Sequence, residues 1–308
     1  MKLLITGIHG FVGRNLVRAW KGEMALYGLD ILQEESEGIV QTFSWDELDR
    51  ILAVDIIIHL AGKAHDTKNT SSAQAYFDIN LRLTEQIFDY FLQSEAKHFV
   101  FFSSVKAVAD KVAGEYLTED VSPKPATPYG QSKLAAEQYI LSKKLPEGKK
   151  IYILRPCMIH GPGNKGNLNL LYQLAKKGIP WPLGAFENQR SFLSVDNLIF
   201  VLRELLNQDL PSGIYQVADD EAISTNELIE MIAASMGKKA KIWKVSRPLI
   251  EKVALLGNSL KLPLNTERLQ KLTENYVVSN QKIMEALQKP LPLSAREGMM
   301  RTLRSFED

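Results

Sequence analysis

The chain of 308 residues contains a single cysteine, Cys157. One thiol excludes a disulfide within the chain and a cysteine-based metal site. Scarce cysteine is typical of reducing compartments, and Met1 and Lys2 lead into an apolar run without a signal-peptide pattern. We therefore expect a cytoplasmic protein. No apolar run approaches the roughly 18 residues that a membrane span needs, so we expect no transmembrane segment.

An excess of one charge is also lacking. The 37 lysines and arginines are balanced by 36 acidic residues, which gives a net charge of +1 and no indication of a nucleic-acid partner. No spacing of histidines and carboxylates indicates a metal, and no G-x-S-x-G string indicates a hydrolytic nucleophile. The amphipathic, mildly basic stretch Pro248–Leu262 is interpreted as a surface helix, with peripheral membrane contact as the alternative.

The first half of the chain alternates strand and helix patterns. Strands are predicted at Lys2–Thr6, Met24–Leu29, Asp55–Leu60, His98–Ser103 and Lys150–Leu154, and helices at Phe11–Trp20, Trp45–Leu52, Ala73–Gln93 and Tyr129–Leu145. This alternation predicts an α/β fold with a doubly wound parallel sheet. After Pro156, glycines and prolines become frequent and strands rare. We therefore predict one domain over 1–156 and a smaller, mostly helical region over 157–308. A return of the chain to the first domain around 190–220 is an open alternative.

A glycine-rich loop joins the first predicted strand to the first helix. Gly7, Gly10 and Gly13 are spaced as in loops that bring backbone N–H groups and a helix N-terminus up to a pyrophosphate. The second strand ends near Asp30, 17 residues beyond Gly13, where a carboxylate can accept both ribose hydroxyls of an adenosine and repel a 2′-phosphate. The pattern predicts an NAD-binding Rossmann domain with NADP disfavoured, although Arg14 beside the loop would favour a phosphate.

A tyrosine and a lysine open the last predicted helix of this domain. Tyr129 and Lys133 are four residues apart and so share one helical face. A phenol has an ordinary pKa of about 10, and a nearby ammonium lowers it. Such a phenol can take a proton from a substrate hydroxyl while hydride leaves its carbon, which is oxidation of an alcohol to a ketone. A hydroxyl at the strand end Ser103–Ser104 could orient the reacting oxygen.

Together these motifs resemble the extended short-chain dehydrogenases/reductases of the nucleotide-sugar epimerase/dehydratase family. The resemblance covers essentially the whole chain. It rests on T-G-x-x-G-F-x-G at Thr6–Gly13, H-L-A-G at His59–Gly62, P-Y-G-x-S-K at Pro128–Lys133 and R-P-x-x-x-x-G-P-G at Arg155–Gly163.

The resemblance implies site residues of three kinds. Catalytic roles are implied for Ser104, Tyr129 and Lys133. Cofactor contacts are implied for Gly7, His9, Gly10, Phe11, Val12, Gly13, Asp30, Leu60, Ala61, Gly62, Lys63, Asn80, Ser103, Tyr129, Lys133 and Pro156. Substrate contacts are implied for Lys106, Met158, Asn167, Pro182, Leu183, Arg190 and Arg268, with Arg190 on the diphosphate through its bidentate fork.

The resemblance also implies a reaction. We expect NAD-dependent oxidoreduction at C4 of a nucleoside-diphosphate sugar, foremost a 4-epimerase of a UDP-hexose or UDP-N-acetylhexosamine. The alternative is an NAD(P)H-dependent reductase of 4-keto-6-deoxy sugar nucleotides in surface polysaccharide synthesis, and a remote one is a non-catalytic NAD-sensing protein. The string Ser104–Ala107 lacks the Asp-Glu pair of the family's dehydratases. Relatives pair through a four-helix interface, which implies a homodimer built from Ala73–Gln93 and Tyr129–Leu145.

Overall fold

A computed structural model describes residues 1–64, 72–164, 166–208, 210–260 and 264–306, without the side chains of residues 167 and 260. Its strands are β1 (Lys2–Thr6), β2 (Ala25–Leu29), β3 (Gln41–Phe43), β4 (Ile56–His59), β5 (His98–Phe102), β6 (Lys150–Pro156), β7 (Met158–His160), β8 (Phe192–Ser194) and β9 (Gly213–Val217). Its α-helices are α1 (Phe11–Trp20), α2 (Ala73–Asn80), α3 (Arg82–Gln93), α4 (Pro128–Ser142), α5 (Asn167–Lys176), α6 (Val195–Asn207), α7 (Thr225–Ser235), α8 (Arg247–Leu260), α9 (Thr266–Thr273), α10 (Gln281–Leu287) and α11 (Ala295–Arg304).

Seven strands form one parallel sheet in the order β3-β2-β1-β4-β5-β6-β9. Its central strands are apolar on both faces, as the run Ile56–Ile58 in β4 shows, because helices cover both sides. Residues of α1 and α6 pack on one face, and residues of α3 and α4 pack on the other. The doubly wound α/β fold predicted from the sequence is therefore confirmed.

Several predicted elements differ from the structure. The helix predicted over Trp45–Leu52 is wrong, since only a single 3₁₀ turn forms at Leu48–Arg50 and Leu52 is exposed. The helix predicted over Ala73–Gln93 is divided at Leu81, where the Thr84 hydroxyl donates to the carbonyl of Asn80 at 2.6 Å. Such a side-chain bond bends helices. The sequence prediction also missed the short strands β3 and β7–β9.

The chain beyond β6 forms a second core and also returns to the sheet. Helices α5, α7, α8, α9 and α11 contribute buried side chains to a separate apolar cluster. Strand β9 pairs in parallel with β6, with Ile214 opposite Ile153, and so adds the seventh strand. This return lies within the interval 190–220, while the domain boundary near residue 156 stays a prediction. No helix in the described ranges is long and apolar enough to cross a membrane.

A buried ion pair ties helix α4 to the sheet. Arg155 on β6 donates to both carboxylate oxygens of Glu137 on α4, from Nε at 2.9 Å and from Nη2 at 2.6 Å. Ser103, directly after β5, donates its hydroxyl to the same carboxylate. Both charged side chains are almost fully buried. Because Tyr129 and Lys133 also lie on α4, this pair fixes the position of the predicted catalytic helix.

The pair generates a stability prediction. Glu137→Gln leaves the Arg155 charge buried without a counter-ion, and we expect it to lower the free energy of unfolding by about 3–5 kcal/mol. The double variant Glu137→Leu/Arg155→Met removes both charges, and we expect it to regain most of the loss. Urea denaturation followed by circular dichroism measures both.

The matched control breaks an exposed pair. Glu267 and Lys271 on α9 form a salt bridge with both side chains mostly in solvent, so we expect Glu267→Gln to cost under about 1 kcal/mol. If Glu137→Gln costs no more than Glu267→Gln, the buried pair does not hold α4 in place.

Candidate active site

Loops that follow four parallel strands meet at the carboxyl edge of the sheet. They contain the glycine loop after β1, Asp30 after β2, residues 60–63 after β4 and residues 103–107 after β5. Ligands of open α/β sheets bind at this edge, beside the point where the strand order reverses. Here the order reverses between β1 and β4, since the chain moves outward from β1 to β3 and then crosses to β4.

The glycine loop is shaped by close backbone contacts. Gly7 has φ +68°, and a β-carbon there would lie 2.9 Å from the amide nitrogen of Ala61. A β-carbon on Gly13 would overlap the carbonyl oxygen of Ile8. Gly10 is the N-cap of α1, and a glycine has no side chain with which to cap the helix. The loop thus leaves the first N–H groups of α1 to a ligand, and its residues fit a dinucleotide pyrophosphate.

The carboxylate of Asp30 is bonded to the glycine loop. Its Oδ2 accepts from the backbone N–H of His9 at 3.0 Å, and its Oδ1 accepts from the N–H of Ile31 at 2.8 Å. Asp30 is buried, whereas Arg14 on α1 is exposed. The structure therefore places Asp30 beside the loop that would hold the phosphates, where a ribose contact was predicted. That contact itself stays a prediction.

Asn80 joins the loop after β4 to helix α4. Its side chain accepts from the N–H of Lys63 at 2.7 Å, donates to the Lys63 carbonyl at 3.1 Å and donates to the Ser132 hydroxyl at 2.9 Å. A β-carbon on Gly62 would lie 2.9 Å from the Asn80 amide oxygen and 3.1 Å from Lys133 Nζ. Gly62 is therefore needed for Asn80 and Lys133 to lie so close to this loop.

Lys133 is buried at the centre of the site. Its Nζ donates to the carbonyl of Phe102 at 2.8 Å and lies 4.9 Å from the centre of the Phe101 ring. Burial lowers the pKa of Lys133 to about 8, although the charge of Glu137 opposes the change. Lys133 therefore remains mainly protonated at neutral pH, but its pKa lies much closer to 7 than the pKa of a lysine in water does.

Tyr129 differs from the sequence-based expectation. The sequence predicts that Lys133 lowers the pKa of Tyr129, but burial raises that pKa, and the opposing effect comes from a hydrogen bond with Ser104. The ring of Tyr76 lies edge-on, 6.3 Å from the Tyr129 ring, and also contributes to the rise. The resting phenol is therefore protonated, with the Ser104 hydroxyl as its neighbour.

Other predicted cofactor residues lie around this centre. Phe11 and Val12 form the first turn of α1, Leu60 and Ala61 follow β4, and Pro156 ends β6. Ser103 is the exception, because its buried hydroxyl bonds to Glu137. A cofactor contact by Ser103 is therefore limited to its backbone. His59, in contrast, is a core residue whose two ring nitrogens lie 2.6 Å and 2.9 Å from the hydroxyls of Thr6 and Thr84.

Two of the predicted substrate residues, Lys106 and Arg190, contact Tyr276, a residue that the sequence analysis did not single out. Lys106 Nζ lies 4.0 Å from the centre of the Tyr276 ring and donates to the carbonyl of Asp110 at 2.9 Å. Arg190 pairs with Tyr276 through the backbone, and its guanidinium donates to the Lys271 carbonyl. Burial lowers the pKa of both Lys106 and Arg190. Tyr276 carries no local signal in the sequence, because only folding brings it to Lys106.

The remaining substrate predictions are less well placed. Leu183 is buried in the C-terminal core, so only its backbone could meet a ligand. Pro182 is half-buried, Met158 is exposed, and Arg268 is exposed on α9. Asn167 begins α5, and its side chain lies outside the described part of the structure.

The comparisons with known proteins decide the family. Residues 3–218 match the model of the NAD dependent epimerase/dehydratase family. The chain belongs to this family. The match confirms the resemblance seen in the sequence motifs, the NAD-dependent enzyme class and NAD as the cofactor.

Individual members of the family are similar over most of the chain. A UDP-glucose 4-epimerase of Vibrio cholerae is 27% identical over 99% of this chain and 95% of its own. A GDP-6-deoxy-D-mannose reductase of Pseudomonas aeruginosa is 28% identical over 75% of this chain and 79% of its own. A UDP-glucuronic acid 4-epimerase of Bacillus cereus, crystallised with NAD, superposes with a TM-score of 0.75 at 20% identity and covers 100% of this chain and 99% of its own.

The glycine loop of this family member generates a cofactor prediction. A methyl group on Gly13 would overlap the backbone carbonyl of Ile8, which cannot rotate away as a side chain can. Helix α1 would therefore be forced away from β1. We expect Gly13→Ala to weaken NAD binding at least about tenfold and to cost about 1–3 kcal/mol of stability. Calorimetric titration of cofactor-stripped protein with NAD measures the first effect. Gly114→Ala is the control, because no atom of the described residues lies within 4 Å of its added carbon. Equal affinity of the two variants would contradict the prediction.

Lys133 generates a pH prediction. Its pKa is about 8 in the folded protein and 10.5 ordinarily, so between these values the unfolded chain binds more protons. Stability therefore rises with pH in this window. We expect the cofactor-stripped wild type to gain about 2 kcal/mol relative to Lys133→Met between about pH 7.5 and pH 9.5. Urea denaturation at both pH values measures the gap, and a gap that stays constant contradicts the assigned pKa.

Proposed function

We propose that the protein is a 4-epimerase of a nucleoside-diphosphate sugar, foremost a UDP-hexose or UDP-N-acetylhexosamine. One observation carries the proposal: Tyr129, Ser104 and Lys133 lie together at the sheet edge, beside a glycine loop that fits a dinucleotide. The Vibrio cholerae relative is named a UDP-glucose 4-epimerase, and the Bacillus cereus structure is of a UDP-glucuronic acid 4-epimerase. Both names support the same reaction at C4.

The protein's own residues would move the proton. As the phenolate, Tyr129 takes the proton of the C4 hydroxyl in one direction, and as the phenol it returns a proton to the C4 oxygen in the other. Ser104, which hydrogen-bonds to Tyr129, orients the same oxygen. Lys133, at the centre of the site, would hold the nicotinamide ribose and stabilise the phenolate by its charge. NAD, when bound, supplies the hydride acceptor and donor.

Charge on the substrate side supports a diphosphate ligand. The Lys106 ammonium lies over the Tyr276 ring, and Arg190 pairs with Tyr276 through the backbone. Glu274 is the carboxylate that acts on both cations. Guanidinium and ammonium groups are the usual partners of phosphate oxygens. The loop after Ser104 presents Val105 and Lys106 rather than carboxylates, so it lacks the acid that water elimination would need. This favours epimerisation or reduction over dehydration.

A reductase is the second candidate, because the Pseudomonas aeruginosa relative is named a GDP-6-deoxy-D-mannose reductase. Reduction of a 4-keto-6-deoxy sugar nucleotide would use Tyr129, Ser104 and Lys133 in one direction and consume NAD(P)H. A non-catalytic NAD sensor would have no need of these three side chains. The substrate panel below separates the candidates.

We also propose a homodimer through α2, α3 and α4. These helices lie side by side on one face of the sheet, with Tyr139 on α4 bonded to Asp89 on α3 at 2.7 Å. Since α2 and α3 together occupy the place of the single helix predicted over Ala73–Gln93, pairing with a second copy would make a four-helix layer when the two are counted as one. Light scattering at micromolar concentration tests this, and a monomeric mass would remove the proposal.

Turnover tests the proposed function. The purified protein is incubated without added cofactor on a panel of UDP-hexoses and UDP-N-acetylhexosamines. Formation of C4 epimers without a net change in NADH is the result expected. Oxidation of NAD(P)H only with a 4-keto-6-deoxy sugar nucleotide would identify the reductase instead.

A variant pair tests the assigned chemistry. We expect Tyr129→Phe to lower kcat by about 10²–10⁴-fold, since the proton acceptor is lost. Tyr139→Phe removes a hydroxyl from the same helix away from the site and should leave kcat near the wild-type value. Full turnover by Tyr129→Phe on every accepted substrate would show that the assignment is wrong.

A further inference from the structure

A cluster of exposed apolar side chains lies outside the candidate active site. Trp243, Leu249, Val253, Leu255 and Leu256 fall within 14 consecutive residues, and each has between 39% and 60% of its surface in solvent. Single exposed leucines are ordinary, but a concentration of this kind marks a surface that contacts another phase or molecule.

Helix α8 carries most of this cluster on a face that its own core does not use. Ile250, Ala254 and Gly257 are buried at i, i+4 and i+7, so they form the face turned towards the protein. Leu249, Val253 and Leu256 repeat the same spacing one residue earlier and are exposed. The helix therefore presents a second apolar stripe to solvent.

The same segment concentrates positive charge. Between residues 238 and 256 the basic residues are exposed and number six, namely Lys238, Lys239, Lys241, Lys244, Arg247 and Lys252. Glu251 is the one acidic residue in this range, whereas the whole chain has 37 basic and 36 acidic residues. The rest of the chain is thus net acidic. We call residues 238–256 the basic-apolar segment.

This combination fits one kind of partner. Apolar side chains can enter the acyl boundary of a bilayer while neighbouring lysines remain at the level of anionic headgroups, and tryptophan favours that interface. A two-fold contact between copies of the chain would bring each copy's six basic residues against the other's, which charge repulsion disfavours. Charge complementarity therefore favours an anionic lipid surface over a second copy.

We propose that the basic-apolar segment docks the protein peripherally on an anionic membrane surface. Docking there would hold the substrate side of the protein close to the lipid. The backbone of the segment pairs with the predicted substrate loop, since Ile242 bridges Trp181, Lys244 bridges Leu183, and Gly184 donates to the Trp243 carbonyl at 3.1 Å. The proposal goes beyond the proposed function and does not depend on it.

Vesicle flotation of the full-length protein tests the proposal. The probes are vesicles of phosphatidylcholine alone and vesicles with about 30% phosphatidylglycerol. We expect binding to the anionic vesicles only, weakened strongly between low and high salt. The variant Leu249→Ser/Val253→Ser/Leu256→Ser should bind at least tenfold more weakly. The variant Lys238→Gln/Lys239→Gln/Lys241→Gln should lose about fivefold in affinity per lysine.

The control removes equally exposed apolar groups elsewhere. Val40→Ser/Leu52→Ser/Leu174→Ser changes three exposed side chains outside the segment and should bind like the wild type. Circular dichroism confirms that each variant is folded. Absence of binding to anionic vesicles, or equal binding of the two serine variants, overturns the proposal. Sedimentation velocity tests whether a second copy of the chain binds this surface instead. If the wild type self-associates, does not bind vesicles, and loses self-association only in the variant Leu249→Ser/Val253→Ser/Leu256→Ser, the surface is a contact between two copies.

One further variant separates this proposal from the proposed function. Tyr129→Phe should bind anionic vesicles as the wild type does, whatever its turnover. A protein that fails on every sugar nucleotide but binds vesicles would overturn the function and leave the docking surface standing.

Discussion

The carboxylate of Glu137 is the group on which the geometry of the candidate site depends. It lies one helical turn beyond Lys133 and accepts from Arg155 on β6 and from Ser103 after β5, so one buried anion joins helix α4 to two strands. A buried charge is tolerated only with such compensation. The charge of the same anion opposes the effect of burial, so the pKa of Lys133 falls less far than burial alone would lower it. The Glu137 carboxylate therefore both positions the predicted catalytic Lys133 and helps to keep it charged.

Local sequence patterns were enough to predict the central strands of the sheet and the glycine loop. The strand Lys2–Thr6 and the helix Phe11–Trp20 were predicted with the bounds that the structure shows, because apolar runs and glycines act over a few residues. Strands β3 and β9 were missed because neither is a continuous apolar run: β3 has only three residues, and β9 begins with Gly213 and contains the polar Gln216. The Glu137–Arg155 pair and the position of Tyr276 beside Lys106 depend on folding, and no local spacing indicates either.

The protonation of Tyr129 shows a different limit of sequence reasoning. Spacing alone placed a lysine beside the phenol and predicted a lowered pKa, but spacing carries no information on burial. In the structure burial outweighs the opposing hydrogen bond from Ser104, so the pKa of Tyr129 rises. A protonated phenol at rest is suited to donate its proton to a ketone first. Removal of a proton from an alcohol then needs added positive charge at the site, which Lys133 and an oxidised nicotinamide together can supply.

The substrate side and the basic-apolar segment are mechanically linked. The backbone of residues 242–244 pairs with residues 181–184, so a displacement of this segment moves the loop that contains the predicted substrate residues Pro182 and Leu183. Lys244 also brings positive charge close to that loop, because its backbone bridges Leu183. Anionic lipids that neutralise this charge would reduce the attraction for a soluble diphosphate at the outer surface and leave Arg190 and Lys106 as the cations that hold it. Docking and substrate selection would then act through the same short piece of backbone.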